Sequence, residues 1–530
     1  MQIELIRTEG VGLSYTTSPT DIGSRIDWSI SNISDEPVRL RSVRLVFALH
    51  GFAGAPRMFR NGYQSWSPSD VAVFGRDKDP SSVANNAFFQ GVHHADPITV
   101  ANEYELRSEW VTVIADGNPG RMMVGFIGSG NHDGTLRLTH GVEGDTELHA
   151  EAFLGDMELA PQSSFMLDPV VIAGGEDELA LLELWAEAIK QTCGARTTAP
   201  YQVGWCSWYH YFDDITEDAL RANLALAADY PFDVFQLDDG YQSAVGDWLT
   251  TNDKFPSGLA PLAQAISLNG LRPGIWLAPF LVAPDSLVAT EHPDWLARFS
   301  ETKPLKAWVN APWGGAMYAL DTTNPAVLDH LEHVAATLNE MGFTYLKLDF
   351  TFAPSFDGIY ADPSRTPAQR VRAGFDAIRR GAGNDAFLLG CGAPLAHIVG
   401  VVDGNRIGPD VAPLWEPTPE AEVIPGYLRT QPSTKYAQDA TVARAFMHRR
   451  LWLNDPDCLM LRAEKTALTA DEAAQWAQVV GYSGGMALVS DDLALLDASA
   501  RELLRATIEV GLASDAAAKA GRGPLAPSYF

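Results

Sequence analysis

The chain has 530 residues, 46% hydrophobic and 20% charged, the balance of an ordinary folded protein but too long for one core, so two or three domains are expected. Lys and Arg number 38 against 67 Asp and Glu, for a formal charge of −29. So acidic a surface excludes nucleic acid and anionic membranes as partners and leaves a neutral small molecule as the better ligand. Cys193, Cys206, Cys391 and Cys458 lie far apart without paired spacing, against a zinc site or a disulfide framework and in favour of reduced thiols in a cytoplasm. The first ten residues carry neither an apolar run nor a basic cluster, and no stretch reaches about eighteen uninterrupted apolar residues, so neither export nor membrane insertion is expected.

Residues 1–180 read as a β-sandwich: short alternating runs broken by Gly, Asn, Asp and Pro. Thr146, Leu148, Ala150 and Ala152 alternate with Glu147, His149 and Glu151, after a hairpin turn expected at Gly144-Asp145. Between Val38 and Phe47 the apolar parity switches, which predicts a β-bulge near Ser42. The stretch Asn61 to Ser67 gathers Tyr63, Gln64 and Trp66 in a loop. Aromatic faces with amides beside them suit a sugar, although such a Trp more often packs on its own domain.

Residues 181–200 are expected to be a helical linker. From 201 to 512 the pattern alternates strand and helix, with eight candidate buried strands ending near Trp208, Asp239, Ala278, Asp349, Cys391, Asp410, Leu461 and Asp491, the number that a (β/α)8 barrel needs. Thr216 and the pair Thr469/Glu472 mark helix starts. The long connection 280–343, with Trp295, Trp308 and Trp313, is expected at the rim. Residues 513–530 are left as a tail.

In such a barrel the active site lies where the strands end. Lys347 and Asp349, two apart on one strand, share a face, and the lysine is expected to keep the aspartate ionised; a structural ion pair is the alternative. Glycoside hydrolysis requires two carboxylates flanking a bond, and Asp349 and Asp410 are the candidates. Arg406 is placed beside Asp410 by strand parity. An arginine works against a proton donor, so Asp410 as the acid requires an apolar or carboxylate-rich setting. Asp238 and Asp239 reach one ligand only if the strand breaks at Gly240; otherwise they form a turn or helix cap. His330 and His333 lack a third ligand, so no metal is expected.

Taken together, Gln236-Leu237-Asp238-Asp239-Gly240-Tyr241, Lys347-Leu348-Asp349, Gly390-Cys391-Gly392, Asp403 to Asp410 and Asn454-Asp455-Pro456-Asp457-Cys458 resemble the motifs of glycoside hydrolase family 36, the α-galactosidases, in particular the compact bacterial members. The resemblance implies a β-sandwich packed on a (β/α)8 barrel, hydrolysing terminal α-linked galactose with retention and without metal or organic cofactor; as a departure from the family pattern, the usual C-terminal β-domain is expected to be reduced or absent. It implies Asp349 as nucleophile, Asp410 as acid/base, and Asp238 and Asp239 as ligands of the 4- and 6-hydroxyls. Lys347 and Arg406 would be ring-hydroxyl ligands and Cys391 a neighbour of the 2-hydroxyl. Trp66 would be lent by the sandwich, with Trp208 and Trp276 as walls. The partner is then an oligosaccharide substrate, with a homo-oligomer left open. An α-N-acetylgalactosaminidase, a galactosyl transferase of the raffinose-synthase kind, and a sugar-binding protein on an inactive scaffold are the alternatives.

Overall fold

The computed structural model describes residues 2–5, 10–49, 55–82, 86–97, 102–116, 120–128, 130–140, 145–421 and 424–522. Up to Gly175 the paired strands run antiparallel in two sheets. One orders Gln2–Leu5, Val38–Ala48, Thr146–Leu159, Asp133–His140 and Leu106–Glu109. The other orders Ser164–Met166, Gly23–Asn32, Val170–Gly175, Arg121–Phe126, Val111–Ala115, Arg57–Arg60 and Asp70–Val73, with Val11–Thr20 paired to Gly23–Asn32. Within Gly23–Asn32 the alternate residues Ile26, Trp28 and Ile30 are apolar and buried on one face, as a period of two requires. The sheets touch closely, because a Cβ on Gly134 of the first would lie 2.4 Å from the Phe126 ring of the second.

Two expectations here need correction. Leu148, Ala150 and Ala152 do face the core, but His149 and Glu151 are buried as well. The side expected to meet water holds an ion cluster, in which Arg137 bonds Glu151 at 2.9 Å and Glu105 at 3.2 Å. An irregularity does sit beside Ser42, but its extra residues lie on the partner strand, where Phe153 pairs Ser42 and Met157 pairs Leu40. The turn expected at Gly144 falls outside the described residues.

The helix Glu178–Cys193 is capped by Asp177 and stopped by Gly194 at φ 63°. It is packed rather than bridging freely: Trp185 meets Trp110 edge-on at 4.6 Å, and its indole donates to the Phe126 carbonyl at 3.0 Å.

Eight parallel strands follow in sequential order: Val203–Cys206, Val234–Leu237, Arg272–Leu277, Tyr345–Leu348, Phe387–Gly390, Gly404–Arg406, Leu453–Asp455 and Ala487–Val489, the last pairing with the first. The seventh strand therefore ends at Asp455 and not near Leu461. The apolar run after Pro456 misled the reading, because Leu459 bridges Val489 and so joins the seventh and eighth strands. Thr216 caps Glu217–Ala227, and Thr469 with Glu472 forms the expected capping box. The long third connection carries a small rim sheet, Leu281–Val282, Gly315–Ala319 and Lys306–Asn310, before its helix Pro325–Met341.

One layer of the barrel is incomplete. Only a single turn, Ala396–Ile398, connects the fifth strand to the sixth, because 13 residues, 391–403, are too few for a packed helix and its two loops. The N-terminal unit fills this place. Gln64 bridges Pro394, Leu395 N–H donates to the Tyr63 carbonyl at 3.0 Å, and His397 meets Asp133 at 2.5 Å. The loop 61–67 is thereby laid against the mouth of the barrel.

Candidate active site

The chain leaves strand geometry immediately after each of the first four barrel strands, and this turns polar side chains into the mouth. At the second strand Asp238 and Asp239 are buried at 2% and 4% exposure. Both can be used because Gly240 adopts φ 114° and packs where a Cβ would lie 2.8 Å from the Asp213 carbonyl. Asp238 accepts from Lys347 Nζ at 2.8 Å, Gln236 Nε2 at 2.6 Å and Cys206 Sγ at 3.4 Å. Asp239 accepts from Gln242 Nε2 at 2.6 Å and Trp313 Nε1 at 2.8 Å. Burial pushes the Asp239 carboxyl up to about 6 against these two donors.

Lys347 is thus the partner of Asp238, not the dedicated partner of Asp349. Burial works to lower its ammonium, but the Asp238 contact overrides this and holds it well above the usual range. Asp349, on the same face, accepts instead from Trp276 Nε1 at 3.1 Å and from the Phe350 N–H at 2.8 Å. Burial pushes its carboxyl up; Lys347 opposes that through space, and the charge of Asp410 adds to it. The lysine alone therefore does not keep Asp349 ionised, and two N–H donors share the task.

Asp410 is not on a strand. The sixth strand stops at Arg406, and a four-residue excursion brings Asp410 back, so Arg406 Nη1 reaches its Oδ1 at 3.1 Å. The Asp410 side chain is one-third exposed while Arg406 is 2% exposed. Cys391 is fully buried near Asp349 and Asp410, and burial, then the Asp349 charge, raises its thiol well above the usual range, which does not suit a nucleophile.

Trp66 reaches this mouth from the N-terminal unit, 5.0 Å from Phe350 and 6.2 Å from Trp308, ring to ring. Gly392 makes room, since a Cβ there would lie 2.8 Å from the Trp66 ring. The Trp66 indole N–H has no partner among the described residues. Trp276 is a buried wall of the third strand. Trp208 was expected on the first strand; that strand ends at Cys206, and Trp208 opens the short helix Trp208–Tyr211, half-buried against Phe212.

A family model described as Melibiase matches residues 197–355. TtGalA, an α-galactosidase from Thermus thermophilus solved in complex with stachyose, superposes with TM-score 0.73 at 27% identity, over 93% of this chain and 99% of that one. The chain is similar to the α-galactosidases of glycoside hydrolase family 36. α-Galactosidase 2 of Pediococcus pentosaceus is 26% identical over 238 residues, 42% of this chain, and the match spans 31% of that relative's length. The family 36 α-galactosidase AgaA of Geobacillus stearothermophilus shares the fold, with TM-score 0.65 at 14% identity, over 95% of this chain and 68% of that one.

Sequence reading missed four residues. Trp313 was placed at the rim without its bond to Asp239. Asp455 and Asp457 stood in a quoted motif without a role, though two acids two apart at the end of a strand were the available signal. Arg444 gave no signal, because a lone cation on a helical stretch reads as solvated. It is fully buried.

Proposed function

We propose that the chain is a retaining exo-α-galactosidase that releases terminal α-linked galactose from galacto-oligosaccharides. The observation that carries this reading is the convergence of Asp349 and Asp410 at the barrel mouth, one buried and held by two N–H donors, the other partly open to solvent and held by Arg406. The family relationship supports it, as does the stachyose bound to the T. thermophilus relative.

In the first step an Asp349 oxygen attacks the anomeric carbon while Asp410 gives its proton to the departing glycosidic oxygen. In the second, Asp410 as carboxylate takes a proton from water, the hydroxide so formed displaces Asp349 from the anomeric carbon, and α-galactose leaves with Asp410 reprotonated. The two carboxyls are then expected about 5–5.5 Å apart. Asp238 and Asp239 accept from the axial 4-hydroxyl and the 6-hydroxyl, Lys347 and Arg406 meet ring hydroxyls, and Cys391 lines the 2-hydroxyl side. Trp208, Trp276 and Trp66 wall the pocket, and Trp66 offers its unpaired N–H. Four free cysteines fit a cytoplasmic setting.

The test is a panel of aryl α-glycosides with product stereochemistry followed by NMR. The galactoside is expected to be turned over far faster than the glucoside, which leaves buried acceptors unpaired, and α-galactose is expected to form first. A first-formed β-sugar would overturn retention, and comparable turnover of the glucoside would overturn the assignment of Asp238 and Asp239.

A further inference from the structure

Arg406 serves more than Asp410. Its Nε donates to Asp455 Oδ2 at 3.1 Å, its Nη1 to Asp410 at 3.1 Å and to Asp457 Oδ2 at 2.8 Å, and its Nη2 lies 2.8 Å from Asp457 Oδ1. One cation is thus divided over three carboxylates, and its bidentate grip goes to Asp457. Asp457 is also tied to the chain that carries Asp410: it accepts from the N–H of Val411 at 2.9 Å and from the Tyr209 hydroxyl. Asp457 is fully buried and sits at φ 87°, a strained conformation for a residue with a side chain.

On the proposed reading of Asp410 as acid/base, we infer that Asp457, with Tyr209, is a positioning residue that withholds much of the Arg406 charge from Asp410, so that Asp410 can keep the proton it must deliver. This supplies the carboxylate-rich setting that an acid beside an arginine needs. Asp457 aims the guanidinium through one pair of bonds and the backbone after Asp410 through another. Burial pushes the Asp457 carboxyl up to about 7 against the pull of Arg406, with Asp410 and Asp455 adding to the rise and Lys347 opposing it. The thiol of Cys391 faces Arg406 and Asp410 from just beyond the fifth strand, and that of Cys458 adjoins Asp457 and Tyr209.

The experiment measures kcat/KM against pH for an alkyl α-galactoside, whose departure needs a proton, and for a dinitrophenyl α-galactoside, whose departure does not. It compares wild type, Asp457→Asn and Tyr209→Phe, with circular dichroism to confirm folding. Asp457→Asn removes a negative charge from Arg406 and leaves its positive charge to Asp410. The basic limb for the alkyl galactoside should then move about one to two pH units lower, the size of effect a newly unshared opposite charge has. Tyr209→Phe removes a donor that favours the Asp457 carboxylate, so the same limb should move the same way by less. The dinitrophenyl substrate should lose less than about threefold in either variant, because no proton is needed. A folded variant with an unmoved basic limb, or one that slows both substrates equally, overturns the inference. If Asp457→Asn does not fold, Tyr209→Phe decides by the same limb. A wild type inert toward every α-galactoside sinks the proposed function and this inference with it, whereas an active wild type with unmoved variants sinks the inference alone.

Discussion

At the scale of single residues, the two adjacent aspartates at the second strand end are not equivalent, and the difference is set by what each bonds. Asp238 is neutralised by Lys347, whereas Asp239 faces no cation among its principal neighbours and relies on the N–H groups of Gln242 and Trp313. Trp313→Phe keeps the aromatic contacts to Phe350 and Trp276 and removes one donor to a buried carboxylate. A hydrogen bond to a charged group is worth about 1.5–3 kcal/mol, so a loss of about ten- to a hundredfold in kcat/KM is expected. Losing a donor raises a carboxyl further, and on the proposed reading Asp239 must be ionised to accept from a sugar hydroxyl. The acid limb of kcat/KM, starting from a group at about 6, should therefore move to higher pH. A limb that stays in place would show that Trp313 contributes packing alone.

At the scale of elements, the loop 61–67 is the part that local sequence least explains and that the barrel most determines. Arg444 is buried with no carboxylate partner among the described residues, and burial pulls its guanidinium down to about 9. It donates to the carbonyls of Ser65 and Ile407 at 2.8 Å, Ser67 at 2.8 Å, and Gly62 and Gln64 at 3.3 Å. One side chain thus holds four carbonyls of a loop otherwise free of regular structure, and Trp66 rides on that loop. Lysine has three donors where the guanidinium has five and cannot span this fan. Arg444→Lys and Trp66→Ala should share a phenotype, KM raised about tenfold with kcat within about threefold, measured by steady-state kinetics on one galactoside. Unchanged KM in Trp66→Ala would remove the N-terminal unit from the pocket.

What was legible follows from the same distinction between strands and loops. The second and fourth strand ends announce themselves as buried runs closing in Asp238-Asp239 and Asp349, because a period of two and burial are local properties. Asp410 was found by type and resemblance, yet placed on a strand, because its return toward Arg406 depends on a loop whose path is set by Asp457, 47 positions further on. Trp313 with Asp239, Lys347 with Asp238 and Arg444 with the loop 61–67 are contacts between distant segments, for which neither parity nor capping leaves a trace.

At the scale of the whole molecule, the N-terminal sheets and the barrel are expected to unfold as one body. A connected set of buried apolar side chains runs from Ile26 and Trp28 in the sheets through Trp185 and Phe446 to Leu504 and Ile508 in the last helix. The seam adds buried polar contacts that neither side can satisfy alone: His397 with Asp133 at 2.5 Å, Arg444 with the loop, and Thr366 with the Asn131 carbonyl at 2.7 Å. Separating the units in water would expose that apolar surface and leave the barrel without cover where a fifth helix would stand, so partial unfolding has no favourable stopping point. Urea unfolding is therefore expected as a single transition, with far-ultraviolet circular dichroism, tryptophan fluorescence and residual hydrolysis of an aryl galactoside falling at one midpoint. Arg444→Lys should lower that midpoint without changing the slope, since it weakens the seam but leaves the surface exposed on unfolding the same. Hydrolysis lost well before the dichroism would mean that the loop undocks on its own, and two resolved dichroism steps would mean that the sheets and the barrel are independent folding units.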